Sequence, residues 1–134
     1  MFLNQLNEDQ KELFLQLCSH AVMADDVFEV DEMESIALFC HEMMIPNHMP
    51  DMEEPFDSVL EKINETASAQ QKNIMILELI LLLKKDGTLD ETEKYFLSTV
   101  KTELGVSNDK YFALDGLANI YLSLYNELNR TIDN

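Results

Sequence analysis

Glycine and proline are scarce in this chain, with three of each among 134 residues. That is too few to turn the many short strands of a β-sandwich or barrel. Only two cysteines occur, Cys18 and Cys40, and they fit no metal spacing such as C-x-x-C. Both fall on helical apolar faces, where a reduced thiol behaves as a small hydrophobe; a disulfide or redox pair is the alternative. Bases are also few, nine Lys and Arg against 26 Asp and Glu, for a formal net charge of -17. Such a balance excludes nucleic acid, whose phosphates need cationic neutralisation, and argues against anionic membrane surfaces. Long apolar runs are missing too. The most apolar stretch, residues 74–83, is interrupted by Glu78 and falls well short of the ~20 residues a membrane span needs. The opening MFLNQL has no basic n-region, so no secretory signal is expected. The chain reads as cytoplasmic, without direct membrane insertion.

Catalytic signatures are likewise missing. There is no H-E-x-x-H, Walker loop, G-x-S-x-G or Rossmann fingerprint. The E-x-x-H pairs of di-iron bundles fail because Leu17, Leu38 and Ile45 stand three residues before His20, His41 and His48. No enzyme is expected. What remains is ample apolar content, 46% of residues. In a chain of one domain's length, that suffices for a core without disulfide or metal.

Apolar residues recur with helical spacing throughout. A first helix is expected after Asn7, with Gln10 as capping-box partner and a stripe of Leu13, Phe14, Leu17, Cys18, Ala21 and Val22. Asp31, with Glu34 as its box partner, is expected to cap a second helix through Ile36, Phe39, Cys40 and Met43, stopped by Pro46. Pro55 suits the first turn of a third, with Phe56, Val59, Leu60 and Ile63 inward. Ser68 and Gln71 open a fourth over about residues 69–85, with Ile76, Leu77, Ile80 and Leu81 on its inner face. That helix is apolar nearly all round, so it should be the most buried. Asp90 and Glu93 cap a fifth, which Gly105 ends. A sixth runs over about residues 108–130 with a possible break near Gly116 and a stripe of Leu117, Tyr121, Leu124 and Leu128. The fold class is all-α, one domain of five to seven helices.

Sliding the sequence on itself by 59 residues brings Asp31-Glu32-Met33-Glu34 onto Asp90-Glu91-Thr92-Glu93. The apolar Leu17, Cys18, Ala21 and Val22 then fall on Ile76, Leu77, Ile80 and Leu81. Each half, about residues 7–46 and 68–106, is an apolar helix, an acidic loop and a helix opened by D-x-x-E. Two such units about a pseudo-twofold would bury both stripes.

Acid is unevenly spread. Residues 12–61 carry 13 acids and no Lys or Arg. Their densest part is Asp25, Asp26, Glu29, Asp31, Glu32 and Glu34, whose mutual repulsion a bound cation or a basic partner would relieve. The second loop, D-G-x-L-x-x-x-E over residues 86–93, matches the end of an EF-hand calcium loop. Its first and third ligand positions would be Leu82 and Lys84, however, and the first loop has Phe28 where the sharp turn wants glycine. A degenerate EF-hand-like calcium-responsive protein is the alternative reading.

The pattern A-x-x-A-D over residues 21–25, an acidic loop and then D-E-x-E resembles the TerB-like family. So does its later echo, L-L-K-K-D-G-x-L-D-E-x-E over residues 82–93. The resemblance covers roughly residues 10–125. It implies a cytoplasmic helical module of the tellurite-resistance and stress-response kind, a domain type also found in a membrane-anchored DnaJ-like co-chaperone. It further implies that acids of the two loops gather to hold a divalent cation or bind partners. Carried onto this chain, those acids are Asp25 or Asp26 with Glu34, and Asp86 with Glu93. The first loop departs from the family in reading A-D-D-V-F-E-V-D where an A-D-G form is usual. The expected function is a non-enzymatic module whose acidic face binds Ca²⁺ or Mg²⁺, or a basic protein.

Overall fold

Asn7 opens the first helix as its spacing to Gln10 requires. Its Oδ1 accepts from the Gln10 amide at 2.9 Å, and Gln10 Oε1 accepts from the Asn7 amide at 3.1 Å. These details come from a computed structural model, which describes residues 1–22, 30–48, 54–84 and 88–133, with side chains from Met33 onward in the second stretch. The described residues form a 3-10 turn at Leu3–Gln5 and six helices: α1 Glu8–Val22, α2 Val30–Glu42, α3 Phe56–Thr66, α4 Ala69–Leu83, α5 Glu91–Glu103 and α6 Asn108–Asp133. No strand occurs among the described residues. The expected all-α bundle is what the chain forms.

The helix bounds reveal the repeat more clearly than the sequence comparison did. α1 and α4 have 15 residues each, and α2 and α5 have 13 each. Both pairs are offset by 61 residues, not 59. The same offset relates the helix ends. In α2 the Ile45 amide donates to Cys40 O at 3.0 Å and the Met44 amide to His41 O at 3.1 Å. In α5 the Val106 amide donates to Lys101 O at 3.0 Å and the Gly105 amide to Thr102 O at 3.1 Å. These paired bonds are the Schellman closure of a helix C-terminus. The third helix of each half packs back on its first: α3 on α1, and α6 on α4.

The corrected offset changes two expectations. Asp31 lies inside α2 as bounded, rather than ahead of it. The residue standing 61 before Glu93 is Glu32, not Glu34. D-x-x-E is a degenerate pattern: the acidic stretch over residues 26–34 contains it twice, at Asp26–Glu29 and Asp31–Glu34, and neither stands 61 residues before Asp90–Glu93.

The core draws on every helix. The α1 stripe is buried as expected, along with Ile36, Cys40 and Met43 of α2 and Val59, Leu60 and Ile63 of α3. Phe14 meets Phe39 edge-on at 5.5 Å, and Phe56 stacks on Phe96 at 5.2 Å, joining α3 to α5. Both cysteines are free and buried. α4 touches the N-terminal turn, α1, α5 and α6, yet it is not the most buried helix. It buries seven of its 15 residues against nine of 15 in α1. Leu77 and Leu81, expected on its inner face, are only half-buried, whereas Met75, Leu79 and Leu82 are buried.

α6 departs furthest from expectation. It runs unbroken through Gly116 for 26 residues, since a helical glycine costs only about 1 kcal/mol relative to alanine. Of its residues only Ala118 is buried. The expected stripe of Leu117, Tyr121, Leu124 and Leu128 faces solvent.

Candidate functional site

Of the five acids expected to form a site, Asp25, Asp26 and Asp86 lie outside the described residues. Glu34 is exposed on α2, a helix that packs on α1 and the N-terminal turn. Glu93 sits at the start of α5, on α4's side of the bundle. There its Oε1 accepts from the Asp90 amide at 3.0 Å, while Asp90 Oδ1 accepts from the Glu93 amide at 2.7 Å. Glu93 therefore serves a capping box, the role its spacing to Asp90 indicates. No group of three or more His, Cys, Asp and Glu side chains able to hold a metal occurs among the described residues. Lys84 turns to α6 instead of capping α4 alone, its Nζ donating to Asp115 at 2.5 Å and to Asn119 at 3.0 Å.

An acidic groove appears elsewhere. Asp57, Glu61 and Glu65 recur every four residues along α3, which places them on one face. Asn64 Nδ2 donates to Glu103 O at 2.8 Å, fixing the C-terminal turn of α5 beside that row. Together with Leu60 these residues line a groove of about 560 Å³. The helix dipole puts partial negative charge at the α5 C-terminus, and Glu103 adds a full one. The nearest base in sequence, Lys62, is committed to Glu54 at 2.6 Å. That pair, with the Ser58 hydroxyl donating to the same carboxylate, holds Glu54 below the usual carboxylate range. The groove thus gathers four carboxylates and a helix C-terminus. Its apolar floor at Leu60 would receive the methylene stem of a lysine or arginine. The three acids spaced i, i+4, i+8, at the end of the base-free stretch and just past it, were the available sequence signal. Glu103's place beside them was not visible, because it depends on how α5 docks.

A second acidic pair lies within the fold. Glu78 of α4 is only 2% exposed. Its Oε1 accepts from the Met1 ammonium at 2.9 Å and from the Phe2 amide at 3.1 Å. Glu42 of α2 pairs with the same ammonium. Burial works against that charge, but Glu42 and Glu78 outweigh it and hold the amine above its ordinary pKa of 8.0. The contact explains why a glutamate is tolerated in the most apolar run of the chain: its buried carboxylate meets a partly exposed counter-ion and a backbone donor. His48, near the end of α2, reaches Pro46 O and Glu12 Oε2, each at 2.9 Å. Both contacts favour the imidazolium and raise its pKa above 6.5.

No family model matches the chain, and no curated protein or solved structure does.

Proposed function

We propose that the chain is a non-enzymatic helical binding module whose acidic groove takes a basic segment of a partner protein. The observation that carries this reading is the row Asp57, Glu61, Glu65 joined by Glu103 at a helix C-terminus. Lysines and arginines reaching into it would meet carboxylates at about 6 Å intervals, the rise of four helical residues. No catalytic motif accompanies the groove. The resemblance to TerB-like modules supports a binding role rather than a chemical one, and the repeated helix–loop–helix halves agree with that resemblance. In its light, the loop acids Asp25, Asp26 and Asp86 form a weak Ca²⁺ or Mg²⁺ site with Glu93 and Glu34. The 61-residue offset, which sets Asp25 against Asp86, supports the aspartate part of that reading; the same offset sets Glu32 rather than Glu34 against Glu93.

A fluorescent lysine- and arginine-rich peptide titrated against the protein tests the groove. Binding should weaken steeply with salt, since exposed charges are screened over about 10 Å at 0.1 M. It should also fall at least tenfold in E61Q/E65Q. Equal binding by that variant, or by a peptide with its bases replaced by glutamine, would remove the groove from the account.

A further inference from the structure

The last three turns of α6 form the strangest surface of the molecule. From residue 123 to residue 133 every residue is exposed, and with the turns just before them they carry seven exposed large apolar residues along one side: Leu117, Ile120, Tyr121, Leu124, Tyr125, Leu128 and Ile132. At about 100° per residue these span roughly 140° of the helix circumference, next to the sector through Ala118 and Leu122 that rests on α4. A helix this exposed is marginal in water unless its apolar face is covered.

The repeat shows what this face is built like. At the 61-residue offset, Phe56, Val59, Leu60 and Ile63 of α3 correspond to Leu117, Ile120, Tyr121 and Leu124. Val59, Leu60 and Ile63 are buried against the core, and α3 lies on α1. Their counterparts on α6 have the same spacing and no cover.

Charge selects the occupant. Residues 116–126 contain no charged side chain, and all of α6 has four acids against two bases. In a chain of net charge -17, this is a surface on which two copies can meet without like-charge repulsion. An anionic membrane is disfavoured because interfacial helices carry many bases on the polar face, and here the C-terminal half has only Arg130. Seven large side chains about half exposed amount to roughly 700 Å² per copy. That approaches the roughly 800 Å² per partner of a standard stable interface and exceeds the apolar patches usual on monomers.

We propose that this face pairs two copies of the chain through an antiparallel α6–α6 contact. A two-fold axis beside Leu124 brings Leu117 of each copy against Ile132 of the other, and Ile120 and Tyr121 against Leu128. The antiparallel sense follows from the charge on the rest of the molecule. It sends the two acidic bodies to opposite ends of the helix pair and opposes the helix dipoles. Tyr121 and Tyr125 also border a groove of about 370 Å³ that contains Leu38 of α2 and Leu81 of α4, which gives the incoming leucines further apolar lining.

Sedimentation equilibrium from about 0.1 to about 200 µM should show dimer at the upper end of the range, dissociating at the lower end where affinity lies at the micromolar limit for interfaces of this size. L124Q/L128Q should raise the dissociation constant at least tenfold, with the α1–α5 core still folded by near-ultraviolet dichroism. Under oxidation L124C should cross-link copies to one another, and I132C should cross-link with L117C rather than with itself. A chain that stays monomeric throughout this range overturns the proposal. So does I132C cross-linking chiefly with itself, or a monomer that co-floats with phosphatidylcholine–phosphatidylglycerol vesicles.

Discussion

Met44 and Gly105 occupy the same place in the two halves of the fold, 61 residues apart, and both have left-handed backbone, with φ of 60° and 72°. Each closes its helix by donating to the carbonyl three residues back. Glycine takes this conformation without a Cβ penalty, while other residues lose about 1–2 kcal/mol. Met44 is 87% exposed, so its side chain contributes little in return. Met44→Gly should therefore stabilise the protein by about 0.5–1 kcal/mol after the entropy of a more flexible unfolded chain is deducted. The converse change, Gly105→Ala, has open space for its methyl group and should cost about 1 kcal/mol through φ alone. Urea midpoints moving in opposite directions would verify both; a fall in Met44→Gly would contradict the assignment.

Gln10 joins three helices. Beyond its box with Asn7, its Nε2 donates to Thr66 O at 3.0 Å and to Gln71 Oε1 at 2.9 Å. The latter oxygen also accepts from the Ser68 amide at 2.8 Å. Replacing this buried side chain by alanine removes its three hydrogen bonds, to the Asn7 amide, Thr66 O and Gln71 Oε1, a loss of about 2–3 kcal/mol at roughly 1 kcal/mol per bond. Guanidinium unfolding measures it, and a change below the scatter of replicate midpoints would refute the hub.

Asp90→Ala removes the acceptor for the Glu93 amide and should cost about 0.5–2 kcal/mol. Glu93→Gln keeps an oxygen for the Asp90 amide and should leave that box intact. The second variant therefore suits the cation test. Under the TerB-like reading, Mg²⁺ should raise the melting temperature more than Na⁺ at matched ionic strength, and Glu93→Gln should abolish the excess. A site at 100 times its dissociation constant adds about 2.7 kcal/mol. Equal rises in the two salts would reduce the effect to screening.

The two raised pKa values set two pH windows. His48 is raised above 6.5 by Pro46 O and Glu12, so its contribution is complete below pH 6.5 and disappears as pH rises through the folded value. The Met1 amine, raised above 8.0 by Glu42 and Glu78 against burial, contributes fully below pH 8 and loses that contribution at higher pH. His48→Gln should flatten the stability profile in the first window only, and acetylation of the amine in the second only. Profiles unchanged by either modification would show that these contacts do not persist in solution.

Burial pushes the Cys18 thiol well above its ordinary pKa, and Cys40 is buried beside the same core. Neither should react with a disulfide reagent in the native protein, whereas both should react promptly in denaturant. Stoichiometric labelling of the folded chain would mean the core opens readily.

Features that depend on neighbours in the chain were legible in the sequence. The boxes Asn7–Gln10, Ser68–Gln71 and Asp90–Glu93 are where their spacing puts them, because a cap is closed by atoms three residues away. The stripe of α1 and the buried cysteines follow from helical periodicity. Periodicity does not say which apolar sector of a helix finds a partner. In α6 the sector through Ala118 met α4, with Lys84 bound to Asp115, and left Leu117, Tyr121, Leu124 and Leu128 in solvent. The repeat's true offset likewise emerged from helix ends, where the left-handed Met44 gives no residue-type signal as Gly105 does. The groove of Asp57, Glu61, Glu65 and Glu103 combines acids from helices separated by α4. Their approach is set by core packing between α3 and α5, including Phe56 on Phe96, which acts at short range in space but across a long separation in sequence.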